Sequence, residues 1–285
     1  MENKETVLVT GGSGFIGSHC IIQLAAAGYN VKATVRDLSR TNKLNQILLT
    51  GLEKHEGKSD LSVDWQVANL SSDEGWDEAV KGCDYVLHVA SPIGMELPKN
   101  EDEMVKPAVE GTLRVLKAAS KAGVKRVVIT SSVAAIMYGT DKQGVFNEED
   151  WTDPKSRTTN VYAKSKTLAE QAAWDFIKKD TTGMELSTVL PAMVFGPILE
   201  EDFGVSVGAI LDMMNGKYPI VPNWDMGVVD VRDVASLELL AMTKPEAAGK
   251  RFVCSAENMF MKDQNEYLSE LFPESASKIP KRVAP

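Results

Sequence analysis

The chain has 285 residues, of which 44% are apolar, so it can bury the core of one or two globular domains. Its 31 basic and 40 acidic side chains leave a net charge of −9, which disfavours partners such as nucleic acid and anionic membrane surfaces. No stretch approaches the roughly 18 consecutive apolar residues of a membrane helix, and the opening MENKE lacks an apolar signal-peptide core, so we expect a cytoplasmic protein.

The cysteines and histidines favour neither a disulfide framework nor a metal centre. Cys20, Cys83 and Cys254 are odd in number and widely spaced, which suits buried thiols in a reducing compartment. The three histidines are also scattered, without the short spacing to Cys, Asp or Glu that a zinc or iron site needs. We therefore predict that the protein binds no metal.

Short apolar strands alternate with helical segments along the first two thirds of the chain. Such alternation predicts an α/β fold, with a doubly wound and mostly parallel Rossmann sheet covered by helices on both faces. The strands are predicted at 6–10, 31–36, 62–67, 85–90, 126–130 and 185–190, and the helices before residue 27 and at 40–50, 73–80, 101–122 and 160–179.

The pattern changes after Pro191, where the sequence becomes richer in Gly, Pro and Met. Short strand-like segments follow at 228–231 and 251–255. We therefore predict a dinucleotide-binding Rossmann domain over residues 1–190 and a smaller substrate-binding lobe over 191–285. Segments near 226–242 are expected to pack back on the first domain.

A glycine-rich turn, TGGSGFIGSH, joins the first strand to the first helix. Glycines there permit a tight turn and close backbone approach, while the helix N-terminus attracts a pyrophosphate. Gly12, Gly14 and Gly17 fit the pattern GxGxxG, and Gly11, Gly14 and Gly17 fit GxxGxxG. Both patterns indicate a dinucleotide without saying which one.

The end of the second strand bears on the choice between NAD and NADP. An acid at the strand end accepts from the ribose hydroxyls of NAD, whereas a nearby arginine accommodates the 2′-phosphate of NADP. If Asp37 ended the strand it would favour NAD, but a strand ending at Val35 presents Arg36 to the phosphate. Arg40 and Lys43 follow, and Lys43 can add a second cation. We therefore predict NADP(H).

Tyr162 and Lys166 are four residues apart in a predicted helix and so share one face, whereas Lys164 points elsewhere. An ammonium beside a phenol lowers its pKa, which makes this pair an acid/base device. Ser131 and Ser132 directly follow the strand at 126–130, at the edge where open α/β sheets bind ligands. Ser132, Tyr162 and Lys166 are therefore the predicted catalytic residues.

Several of these motifs occur together and in order. The chain resembles the extended short-chain dehydrogenases over about residues 6–270, and within them the dihydroflavonol-reductase-like branch, which includes NADPH-dependent aldehyde and ketone reductases. The resemblance is carried by TGGSGFIGSH, HVASP at 88–92, TSS at 130–132, YAKSKTLAEQAAW at 162–174, LPAMVFGP at 190–197 and PAVEGTLRVLKAA at 107–119.

The resemblance implies hydride transfer from NADPH to a carbonyl carbon, with Ser132 bonding the carbonyl oxygen, Tyr162 as proton donor and Lys166 holding the ribose. Asn69 stands where relatives more often carry Asp, so we expect the adenine contact to survive this change. The predicted cofactor-binding residues are Gly11, Gly14, Phe15, Ile16, Gly17, Arg36, Lys43, Asn69, Leu70, Val89, Ala90, Ser91, Thr130, Tyr162, Lys166, Pro191, Ala192 and Val194.

Two other functions remain open. A sugar-nucleotide epimerase would use the same Ser, Tyr and Lys with retained NAD, and an inactive redox sensor would keep only the NADP site. Dehydration is disfavoured, because the apolar run Val133 to Ile136 follows Ser132 where dehydratases carry acids.

The substrate is expected to be a small carbonyl compound, apolar or aromatic, because several methionines fall in segments that could border the pocket. The protein is expected to be a monomer or a homodimer. Relatives usually continue beyond KRVAP, so we expect a shortened chain or an incomplete lid. The methionines in question are Met95, Met137, Met193, Met213, Met214 and Met226.

Overall fold

The computed structural model describes residues 4–92, 98–199 and 203–284. The strands are β1 (Thr6–Thr10), β2 (Asn30–Val35), β3 (Val63–Val67), β4 (Tyr85–His88), β5 (Arg126–Thr130), β6 (Glu185–Pro191), β7 (Met193–Phe195), β8 (Asp225–Asp230), β9 (Arg251–Cys254) and β10 (Glu257–Phe260). The helices are α1 (Phe15–Ala27), α2 (Thr41–Glu56), α3 (Trp76–Val80), α4 (Asp102–Ala122), α5 (Val161–Ile177), α6 (Gly204–Met214), α7 (Val231–Thr243) and α8 (Met261–Leu271).

Seven strands form one parallel sheet in the order β3-β2-β1-β4-β5-β6-β9. The strand order reverses between β1 and β4, and open α/β sheets bind ligands in the crevice outside the carboxyl ends of the strands at such a switch point. The apolar core lies in two clusters, one built around α1 and α7 and the other around α3 and α4. The predicted Rossmann-type α/β fold is confirmed.

Most predicted elements are shifted by a few residues at one end or both, and two of these differences have clear local reasons. The second helix continues six residues beyond 50, because Leu52 on its later turns is fully buried in the core around α1. The fourth strand ends at His88 rather than 90, because the backbone N–H of Ala90 donates to Thr10 Oγ1 (3.0 Å) and leaves the strand ladder.

The second part of the chain contributes to both sheets. β7 and β10 flank β8 in a three-stranded sheet, with β7 parallel and β10 antiparallel to it. α7 packs on α1, β5 and β6, and β9 is the seventh strand of the large sheet. The large sheet therefore takes a strand and a covering helix from beyond Pro191, while the domain boundary drawn there stays a prediction.

The three cysteines lie inside the fold. Cys20, Cys83 and Cys254 are buried and unpaired, as the sequence predicted. Within the described ranges, none of the helices is both long enough and apolar enough to cross a membrane.

The glycine turn brings the start of α1 against the end of β1. A Cβ atom added at Gly17 would lie 2.3 Å from the carbonyl oxygen of Gly11, a separation that real Cβ atoms essentially never show. Gly11 itself adopts a φ of +67°, in the left-handed region that favours glycine. Close approach of helix and strand thus requires glycine at both positions.

We expect Gly17→Ala to lower the free energy of unfolding by about 1–3 kcal/mol, because the new methyl group must push α1 away from backbone that cannot yield. Gly14→Ala is the matched control, since its Cβ would make an ordinary 3.4 Å contact at a φ of −84°. Urea unfolding measures both variants. Equal losses in the two would contradict a steric requirement specific to Gly17.

Candidate active site

A cavity of about 660 Å³ runs along the carboxyl edge of the large sheet, a size suited to a small-molecule or cofactor site. It reaches from the glycine turn to Tyr162 and Lys166. One of the residues predicted to be catalytic or to bind cofactor lies outside the cavity lining: this is Lys43, on α2. The others all line it: Gly11, Gly14, Phe15, Ile16, Gly17, Arg36, Asn69, Leu70, Val89, Ala90, Ser91, Thr130, Ser132, Tyr162, Lys166, Pro191, Ala192 and Val194.

The structure chooses between the two registers at the end of the second strand. β2 ends at Val35, where it pairs with Val67, and the next residue, Arg36, lines the cavity. The Asp37 carboxylate accepts hydrogen bonds from the backbone N–H (2.9 Å) and the hydroxyl of Ser39, which hold the pKa of Asp37 below its usual value. Asp37 therefore caps the short helix that follows it, and Arg36 is the side chain presented to the cavity.

The glycine turn leaves the start of α1 open to an anion. The N-cap residue, Gly14, has no side chain to occupy the first N–H groups, and the first turn of α1 carries no acidic residue. The positive end of the helix dipole and these N–H groups form a binding site for a phosphate group. Together with the cavity volume, this fits a dinucleotide.

The far end of the cavity is built on a turn after β3. Asn69 Oδ1 accepts a hydrogen bond from the backbone N–H of Ser71 (3.0 Å), and Trp76 Nε1 donates to the carbonyls of Asn69 (3.2 Å) and Ser72 (3.0 Å). Ser71 and Trp76 also line the cavity. The indole thus holds this turn in place, a role that the sequence gave no means of assigning.

Ser132 and Tyr162 meet at the opposite end. Ser132 follows β5 and caps a short 3₁₀ helix, Val133–Ala135, with its Oγ accepting from the N–H of Ala134 (3.1 Å). The Ser132 side chain also interacts with the phenol of Tyr162 on the first turn of α5, and this interaction opposes the rise in the phenol pKa. Two hydroxyl groups are therefore placed side by side in the cavity, where they can bind one carbonyl oxygen.

Lys166 lies one turn after Tyr162 and its ammonium donates to the carbonyl oxygen of Thr130 (3.1 Å). Burial lowers the pKa of Lys166 to about 8, against the opposing effect of Glu170 and Glu238. Lys164 points away, as its spacing predicted, and pairs with Glu101, the N-cap residue of the neighbouring α4.

The expectation that Lys166 lowers the pKa of Tyr162 is not met in this structure. Burial raises the pKa of the Tyr162 phenol above its usual value, and the opposing contribution comes from the hydrogen bond with Ser132. The ammonium of Lys166 is bound to the Thr130 carbonyl instead of the phenol. Tyr162 thus keeps its proton at neutral pH.

A buried ion pair holds the segment that carries Ser132. Arg251 Nε donates to Glu170 Oε1 (2.7 Å), and these side chains are only 8% and 1% exposed. Glu170 also accepts from the hydroxyls of Ser131 (2.6 Å) and Thr188 (2.8 Å), while the guanidinium of Arg251 stacks on the ring of Trp151 at 3.7 Å. The network ties α5, β6 and β9 to the residue next to Ser132.

The histidines serve packing. His88 is buried, bonds Thr10 Oγ1 through Nδ1 (2.9 Å), and has a pKa lowered to about 3 by burial and by Lys166. His19 bonds the carbonyl of Pro197 (2.9 Å). In the part of the chain that the structure describes, no group of three or more His, Cys, Asp or Glu side chains is placed to hold a metal ion.

The methionines in segments expected to border the pocket do not themselves line this cavity within the described ranges, although Met193 lies between two lining residues, Ala192 and Val194. Met213 is buried in the fold, and Met137, Met193, Met214 and Met226 are also absent from the cavity wall, while Met95 lies outside the described residues. The wall is closed instead by Phe203 to Ser206 at the start of α6. The loose pattern after Pro191 gave no signal for that helix.

The sequence and the fold were compared with known proteins. The model of the NAD dependent epimerase/dehydratase family matches residues 7–255. Cinnamoyl-CoA reductase of Medicago truncatula is 36% identical over 98% of this chain and 83% of its own length. Dihydroflavonol 4-reductase of Arabidopsis thaliana is 34% identical over 96% of this chain and 71% of its own. The structure of yeast methylglyoxal/isovaleraldehyde reductase Gre2 complexed with NADPH superposes with a TM-score of 0.81 at 30% identity, covering 97% of this chain and 85% of the other.

We expect Arg251→Met to lower the free energy of unfolding by about 3–5 kcal/mol, because it leaves the Glu170 charge buried without its partner. Arg232→Met is the matched control: it breaks the exposed pair with Asp230 and should cost less than about 1 kcal/mol. Thermal and urea unfolding of both variants measure the difference. Comparable losses would show that burial of the Glu170 pair is not what stabilises this part of the fold.

Proposed function

The chain belongs to the NAD dependent epimerase/dehydratase family, which confirms the resemblance to extended short-chain dehydrogenases, and from this premise we propose that it is an NADPH-dependent reductase of aldehydes or ketones. The observation that carries the proposal is the pair of Ser132 and Tyr162 hydroxyls beside Lys166, in one cavity with an open helix N-terminus. The relatives named above are reductases, and one of them is described in complex with NADPH.

The chain's own residues account for the proton chemistry. When bound, the reduced nicotinamide supplies a hydride to the carbonyl carbon. Ser132 and Tyr162 donate hydrogen bonds to the carbonyl oxygen, which stabilises the negative charge that develops there. Tyr162 then gives its proton to that oxygen as general acid, because the phenol is protonated at neutral pH and the oxygen that gains charge on hydride addition is the stronger base. Lys166 supplies a positive charge one helical turn away.

The same cavity has the groups needed to hold NADPH. The N-terminus of α1 at the glycine turn would take the pyrophosphate, and Arg36 the 2′-phosphate that distinguishes NADP from NAD. Asn69 would contact the adenine, and Lys166 would hold the ribose next to the nicotinamide. A protein with a net charge of −9 needs such local positive groups to bind a polyanion.

The cavity favours a substrate without charge. Among the described residues that line it, Arg36 and Lys166 carry charges, and neither lies free to pair with a substrate if both contact the cofactor. Pro92, Phe203 and Val205 add apolar surface to the cavity lining. We therefore assign an apolar or aromatic aldehyde or ketone as substrate.

A panel of aldehydes, ketones and UDP-sugars tests the assignment against an epimerase and against an inactive redox sensor. We expect net NADPH oxidation with carbonyl compounds and none with UDP-sugars, measured by the absorbance of the reduced cofactor.

Tyr162→Phe should lower kcat by roughly 10²- to 10⁴-fold, because the proton donor is removed, while NADPH affinity stays near wild type. Full turnover in Tyr162→Phe, or conversion of UDP-sugars without net oxidation, would refute the proposed reaction.

We expect Arg36→Ala to raise the KM for NADPH by about tenfold or more and to leave the KM for NADH nearly unchanged, because one charge-assisted contact to the 2′-phosphate is lost. Asp37→Asn is the control, since its carboxylate caps the next helix and should leave the ratio of the two constants alone. Steady-state kinetics with both cofactors measure the ratio. An unchanged ratio in Arg36→Ala would mean that another group reads the phosphate.

A further inference from the structure

A carboxyl group without a counter-ion lies beneath the floor of the candidate active site. Glu238 is on α7 and is completely buried. Its Oε1 accepts a hydrogen bond from the hydroxyl of Thr130 (2.6 Å), and its Oε2 has no hydrogen-bond partner in the described structure. Buried carboxyl oxygens are nearly always satisfied, so this one requires an explanation.

The same threonine joins Glu238 to Lys166. Thr130 donates its hydroxyl to Glu238 and accepts the Lys166 ammonium at its backbone carbonyl (3.1 Å). The Glu238 carboxyl and the Lys166 ammonium thus bind two different groups of Thr130 at the end of β5. They are close enough that each shifts the pKa of the other. Glu170, the other acid that faces Lys166, raises the pKa of Lys166 more than Glu238 does, but its charge is shared with Arg251, whereas Glu238 has no such cation of its own among the described residues.

We propose that Glu238 is a positioning residue whose negative charge keeps Lys166 protonated in the buried site. The proposal rests on the proposed function for the role of Lys166 in binding the ribose and supporting Tyr162. Burial favours the neutral amine, which cannot bind the ribose hydroxyls as a triple donor, and Glu238 adds its charge to that of Glu170 in opposing this effect.

The groups packed around Glu238 leave Lys166 as its cationic neighbour. Cys20 on α1 and Cys254 on β9 face it, but burial raises the pKa of both thiols, that of Cys254 to about 11, so they are neutral near pH 7. His88 on β4 is neutral as well, because its pKa is about 3. None of these three can compensate a carboxylate.

The arginine and aspartate side chains on the neighbouring elements pair with groups other than Glu238. Arg126, at the start of β5, pairs with Glu185 of β6 and donates to carbonyls at the end of α7. Asp230 of β8 pairs with Arg232. Burial raises the pKa of Glu238 to about 7, and Lys166 is the charge that opposes this rise. The two groups therefore titrate as a coupled pair around neutral pH.

The test reads the charge of Lys166 directly in the apoprotein. The wild-type protein is labelled with ¹³Cε-lysine, and the Lys166 resonance is assigned by its absence in Lys166→Arg. Its midpoint is expected near 8. Glu238→Gln keeps an acceptor for Thr130 but removes the charge, so the midpoint should fall by about one pH unit. Asp233→Asn removes a carboxylate from an exposed position of the same helix and should leave the midpoint in place.

Glu238→Leu is the second charge-removing variant, and the same fall is expected there. An unchanged midpoint in either folded variant would overturn the proposal. The wild-type protein gives a reading that needs no substitution at Glu238: the Lys166 titration should be broader than a single-site curve because Glu238 titrates near pH 7, and a curve that fits a single independent site would equally overturn the proposal. Because no substrate or cofactor is present, failure of the proposed reductase activity would not alter these outcomes.

Discussion

The structure of the site depends on how three consecutive residues are held at the carboxyl end of β5. Thr130 bonds Glu238 through its hydroxyl and Lys166 through its carbonyl, and Ser131 bonds Glu170 through its hydroxyl and Val189 through its N–H. These bonds come from α5, α7 and β6, on both faces and the neighbouring strand of the sheet. Ser132, the next residue, is therefore presented to the cavity by backbone that cannot easily move.

This arrangement places ionisable groups where burial opposes their charged forms. Burial raises the pKa values of Tyr162 and Glu238 and lowers that of Lys166, so all three shift toward the neutral form. Such shifts are costly in a structural core and cluster at active sites, where nearby charges such as those of Glu238 and Glu170 oppose them at Lys166. The pair of Glu170 and Arg251 differs from these groups, because its two charges compensate each other. It fixes the position of the segment that carries Ser131.

Much of the fold and of the cavity follows from local patterns in the sequence. Strand and helix alternation, the glycine turn and the Tyr162–Lys166 spacing are short-range features, and each element they predict is present. The contacts that organise the site are long-range: Glu238 bonds a residue 108 positions away, and Arg251 pairs with a residue 81 positions away. No periodicity marks such partners. The direction of the Tyr162 pKa shift was mispredicted for the same reason, since it depends on burial and on where the Lys166 ammonium bonds.

In the proposed reaction, hydride and proton are delivered to opposite ends of one carbonyl bond in this cavity. The most direct measurement uses NADPH carrying deuterium at C4 of the nicotinamide, with the product alcohol analysed by mass spectrometry and NMR. We predict that, for the stereoisomer whose transferable C4 position is labelled, one deuterium appears on the former carbonyl carbon while the hydroxyl hydrogen comes from solvent. An alcohol without deuterium at that carbon for either labelled stereoisomer, or label that returns entirely to the cofactor, would contradict the account.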